Sequence, residues 1–84
     1  MATHFYFNSE NDHPDLDPDG IELPDLATAQ KEALRLLGRM LQDADGDGPW
    51  KGKGWSVWVT DAPNGAGHVF FKLQLSASKP AERA

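Results

Sequence analysis

Eighty-four residues, 39% of them apolar and 25% charged, suit one small globular domain and no more. No run approaches the roughly 20 apolar residues that a membrane-spanning helix needs, Met1-Ala2-Thr3-His4 lacks the basic start and apolar stretch of a signal peptide, and the lack of cysteine excludes disulfides and thiolate zinc sites; a cytoplasmic location is expected. The formal charge of −5 is lopsided, with seven acids and no Lys or Arg before Leu26 and five bases against two acids from Lys51 onward, so general binding to a phosphate backbone is not expected.

His4-Phe5-Tyr6-Phe7-Asn8 reads as a strand, because aromatics suit a pleated, half-buried surface. Phe5 and Phe7 share one face; His4 and Tyr6 share the other. An acidic, turn-rich loop follows from Glu10 to Gly20, then a short extended piece, Ile21-Glu22-Leu23, kept out of the helical region by Pro24. That piece can return beside the first strand.

Asp25 is placed to cap a helix running to about Gln42. At about 100° per residue, Leu26, Ala29, Ala33, Leu34, Leu36, Leu37, Met40 and Leu41 fall within an arc of roughly 160°, a width that fits a helix lying on a sheet. Asp43 to Pro49 is rich in helix breakers and ends it. Trp55 to Thr60 alternates, with Trp55, Val57 and Val59 on one face. Asp61 to Gly67 forms a turn around Asn64-Gly65, and Val69, Phe71, Leu73 and Leu75 alternate with His68, Phe70, Lys72, Gln74 and Ser76, completing an antiparallel hairpin. Residues 77–84 have no pattern and read as a flexible tail on a domain spanning 1–76. The expected fold is α+β: a small antiparallel sheet in the order β-β-α-β-β with one helix on one face. Its core is expected from Phe5, Phe7, Leu23, the helix stripe, Val57, Val59, Val69, Phe71, Leu73 and Leu75.

The opening His4-Phe5-Tyr6-Phe7, the run from Asp17 to Leu26 (DPDGIELPDL), the Ala-rich helix from Ala29 through Leu34, and the Val59-Thr60-Asp61 ending resemble a family of small uncharacterised bacterial proteins, catalogued as a domain of unknown function. The resemblance runs from about Thr3 to Leu75. It departs from the family's pattern in the Gly- and Trp-rich stretch from Gly46 to Trp55. It implies the same fold and implies no mechanism.

Catalysis has little to build on. His4, His13 and His68 are the natural acid–base candidates, yet no Ser, Cys or carboxylate motif accompanies them, so neither an enzyme nor a cofactor is expected. Asp43, Asp45 and Asp47 with Gly48 reproduce the first half of a calcium loop, and Asp15, Asp17 and Asp19 with Gly20 repeat the spacing. Both fail in the second half, where the closing acid is replaced by Gly54 and Leu26, and Lys51 occupies a ligand position of the first. The same residues are also what turns are made of. Pro49 to Trp55 interleaves lysines with Trp50 and Trp55, a pattern that can stack on single strands, although the nearby aspartates weaken it.

The aromatic residues carry more. With Val57 and Phe71 facing the helix, Tyr6, Trp58 and Phe70 are expected on the opposite face, with Trp50 nearby. That face is either bare and adhesive or covered by the loop that holds Trp50. The reading is a non-catalytic interaction module, self-associating or protein-binding through the outer sheet face or an open strand edge. The alternative is a weak calcium-like ion binder using the acidic loops.

Overall fold

The computed structural model describes residues 2–11, 13–44, 48–51 and 54–77. The aromatic opening forms β1 (Thr3–Glu10), two residues longer at its C-terminal end than the apolar pattern alone indicates. The acidic segment after it contains a two-residue strand, β2 (Pro14–Asp15), and the extended piece is β3 (Ile21–Leu23). Both lie antiparallel to β1: Ser9 and Glu10 face Asp15 and Pro14, and Thr3 to Phe5 face Leu23 to Ile21. They act as one return strand, interrupted where residues 16–20 bulge away. β4 (Trp55–Thr60) pairs with β1, and β5 (Val69–Leu75) pairs with β4. The sheet order is β2-β1-β4-β5, with β3 also on β1. The expected α+β fold is the one observed, and no described helix is long and apolar enough to cross a membrane.

The helix α1 (Leu26–Gln42) starts where Asp25 accepts the Thr28 backbone N–H at 2.8 Å and the Thr28 hydroxyl at 2.7 Å. These Thr28 hydrogen bonds hold the Asp25 carboxyl below its ordinary pKa. Ala29 and Ala33 are fully buried, and their small size lets the helix sit close on Phe5, Val57 and Val59. Leu36, Leu37 and Met40 pack around that centre.

Three expectations about the core need correction. The apolar arc extends further round the helix than its contact with the sheet, so Leu26, Leu34 and Leu41 remain 44%, 59% and 38% exposed. The alternation of β5 also breaks at its start. Val59 faces Phe71 but Thr60 faces Val69, so Phe70 is an extra residue in a bulge. Val69 is thereby turned to solvent, and Phe70 packs on the core with its ring 5.1 Å from Phe5. Trp55, absent from the expected core, is buried on the helix side; its indole N–H has no acceptor among the described residues. Residues 78–84 of the expected tail lie outside the described residues.

Candidate functional site

The outer face of the sheet is organised by a polar node, not by exposed aromatics. Asn8, opposite Trp58 on the helix-free side, is completely buried. Its Nδ2 donates to the Tyr6 and Trp58 carbonyls at 3.3 Å each and to Thr60 Oγ1 at 3.2 Å, while its Oδ1 accepts the Asp17 backbone N–H at 3.0 Å. Asp17 then answers β1: its carboxylate accepts the backbone N–H groups of Phe7, Asp19 and Gly20, all at 3.0 Å. Where the return strand bulges, a side chain thus replaces the missing ladder partner of Phe7. Burial alone would raise the Asp17 pKa, but the amides of Gly20, Phe7 and Asp19, helped by the charge of His4, bring it below the ordinary value.

This node fastens the bulged segment onto the outer face. Gly20 has φ +68°, and a methyl group there would lie 2.6 Å from His4 Cδ2 and 2.7 Å from Tyr6 Cε2, so both rings rest against its backbone. His4 packs on Tyr6 with centroids 5.1 Å apart, and its Nε2 lies 2.9 Å from the Asp19 carbonyl. From the other side, the turn Pro63–Gly65 donates the Asn64 N–H to the Asp17 carbonyl at 2.8 Å. Gly65 sits beside Leu16 and the Trp58 indole.

The expected aromatic surface is therefore dispersed. Tyr6 and Trp58 are half-buried under residues 16–20 and the Pro63–Gly65 turn. Phe70 is on the helix side, moved there by the bulge. Trp50 is 52% exposed in the turn Gly48–Lys51, and Gly48 of that turn lies against the Trp55 ring on the helix side. The bare face and the face covered by the Trp50 loop are both replaced by a face covered from the β1–β3 side. Trp55 is withdrawn into the core, so it shares no exposed stacking surface with Trp50.

Among the described residues the acidic loops gather no metal shell. Both Asp17 oxygens are taken by backbone amides, Asp15 lies in β2, and no group of three His, Cys, Asp or Glu side chains among the described residues is arranged to hold an ion. Of the second loop, Asp43 is the exposed helix C-cap, and Asp45 and Asp47 lie outside the described residues. The histidines are scattered too. His4 rests on Tyr6, His68 makes an edge contact with Phe70, and His13 lines a hollow of about 390 Å³ with Arg39, Asp43 and Trp55.

The contrast between the sheet's two edges is what sequence reading missed. The β1 edge is occupied by β2, the Asp17 carboxylate and β3. At the other end of the sheet order, β5 has no strand beyond it among the described residues. Its helix-side residues Phe71, Leu73 and Leu75 are only half-buried. Leu36, Arg35 and Arg39 line a hollow with Phe7 and Ile21 on the β3 side of α1; by the helical repeat, the opposite flank, toward β5, carries Leu34, Leu37 and Leu41. The two exposed leucines of that flank and the half-buried inner side of β5 thus lie toward the same end of the sheet, where no strand follows β5 among the described residues. The signal was available as the excess width of the helix stripe.

Neither a curated protein nor a solved structure matches the chain. A family model does match, over residues 4–76, which is nearly the whole chain. The chain belongs to the domain of unknown function DUF6894 family.

Proposed function

We propose that this domain is a non-catalytic interaction module whose contact surface is the open edge of β5 with the leucine flank of α1. The observation that carries the reading is the outer edge of the seven-residue strand β5, beyond which no strand lies among the described residues, together with the exposed Leu34 and Leu41 on the flank of α1 toward it. An exposed, flat, apolar strand edge is a template for another strand, and proteins ordinarily blunt such edges with proline, charge or cover. β5 contains no proline, one charge, Lys72, on the face away from the helix, and a bulge confined to its start at Phe70. The protein acts in the cytoplasm and needs no cofactor.

The test compares the parent with two variants, Leu34→Lys/Leu41→Lys and Trp50→Ser, by sedimentation and by native mass measurement of material drawn from its own cells. Association with itself or with a protein should be lost in the double leucine variant and kept in Trp50→Ser. A chain that remains single in both settings contradicts the proposal.

A further inference from the structure

We propose that the partner of β5 is β5 of a second copy, paired antiparallel about a two-fold axis so that one sheet runs through both chains. This rests on the reading of β5 as the binding edge and names what binds there. Three features converge on a second copy.

The first is closure. The opposite edge is occupied by β2 and β3, carries Pro14 within β2 and Pro24 directly after β3, and is interrupted by the bulge at residues 16–20. A copy therefore meets there only strands of two and three residues, a poor edge on which to add head to tail. The favoured contact is β5 to β5, an isologous pairing that stops at two chains.

The second is charge. The chain carries −5 overall, yet β5 has no carboxylate. Asp15, Asp17, Asp19 and Glu22 belong to the β2–β3 side of the sheet, and Asp25 follows Pro24 as the helix cap. Pairing through β5 places these groups at the two far ends of the dimer, so an acidic chain meets itself where repulsion is least.

The third is the position of Leu34, Leu41 and the inner side of β5. A two-fold normal to the sheet keeps both helices on the same face. The two helices then flank one trough, floored by Phe71, Leu73 and Leu75 from both strands and walled by their Leu34 and Leu41. A strip that is wet in one copy is covered by its own repeat in the other. The register follows from Lys72 and the bulge. Lys72 opposite Lys72 would set like charges face to face, and the bulge at Phe70 spoils pairing at the start of β5. Centring the two-fold on Leu73 avoids both: Leu73 faces its copy, Phe71 faces Leu75, and Lys72 faces Gln74.

Because the chain has no cysteine, this register can be read by disulfide trapping. Lys72 and Gln74 are both exposed, so Lys72→Cys and Gln74→Cys should each fold like the parent. Directly opposite positions in an antiparallel pair fall within disulfide reach, and diagonal ones do not. Mild oxidation of an equal mixture should give a covalent dimer containing one chain of each variant, with each variant alone remaining uncrosslinked. Sedimentation of the parent should show a dimer, and Leu34→Lys/Leu41→Lys should return it to half that mass. A parent that stays monomeric at millimolar concentration, with no crosslink in the mixture, overturns the self-pairing. If such a monomer shows β5 amides protected by a different protein, the edge reading survives and only the identity of the partner fails. A dimer indifferent to both the leucine and the cysteine substitutions overturns the edge reading as well.

Discussion

Along β1 the chain lays down a broken return strand, an Asp17 carboxylate that stands in for a missing ladder partner, and prolines at positions 14, 18 and 24. Along β5, among the described residues, it lays down nothing. The two edges belong to the same sheet and share the same helix, so the difference does not come from the fold class. It comes from what the connecting segments do. The acidic segment after β1 is fastened to Asn8 and consumed in covering its own edge and the outer face. The hairpin turn after β4 reaches across to the same place, with Asn64 donating to Asp17. Both of these connections protect one side, and among the described residues no strand lies beyond the other.

The sharpest way to break this comparison is at the node. Asn8→Ala strands the Asp17 N–H and leaves the Thr60 region without its donor, all in a fully buried position. A loss of roughly 3 kcal/mol in unfolding free energy is expected, since each orphaned buried group costs about 1–3 kcal/mol. Denaturant titration measures it, and a loss below about 1 kcal/mol would show that the node does not hold the edge. Asp17→Ala should cost about 2 kcal/mol by leaving three amides without their acceptor. It should also change the acid limb. The Asp17 pKa is lowered in the folded protein, so its contribution is complete above the unfolded carboxyl value of about 3.9 and is lost as pH falls through the lower folded value. The parent should therefore lose stability more steeply than Asp17→Ala across that acid range, and melting curves from neutral to acid pH decide it.

Gly20→Ala is smaller in size and more local. The left-handed backbone and the His4 and Tyr6 rings together should cost about 1–2 kcal/mol. The perturbation should appear in the Tyr6 environment before it reaches the helix. At the low end, Leu34→Lys and Leu41→Lys should each change the stability of a single chain by no more than about 0.5 kcal/mol, because both sites are exposed. Their effect should fall on association alone, which is what separates a contact surface from a core.

Much of this architecture was legible in residue patterns. Asp25, Pro24 and the Ala29–Ala33 spacing placed the helix, and the alternation of Val57, Val59, Phe71 and Leu73 placed the hairpin, because capping and periodicity are local. Phe70 was misplaced because a bulge is decided by cross-strand register, and nothing in the run Val69-Phe70-Phe71 marks which of its residues will be the extra one. The Asn8–Asp17 node was hidden for a related reason. A polar residue on an outward strand position looks solvated until a distant loop is known to cover it. The exposed leucines were visible as part of a 160° arc, but their meaning depended on how much sheet lies beneath them.

The most direct measurement is amide hydrogen exchange along β1 and β5 across a wide range of protein concentration. The Phe7 amide, held by Asp17, should exchange slowly at every concentration. The outward amides of β5 should exchange slowly when the protein is concentrated and fast when it is dilute, with the crossover matching dimer dissociation by sedimentation. A fast Phe7 amide, or β5 amides whose exchange is the same at every concentration, would contradict the division into a guarded and an open edge.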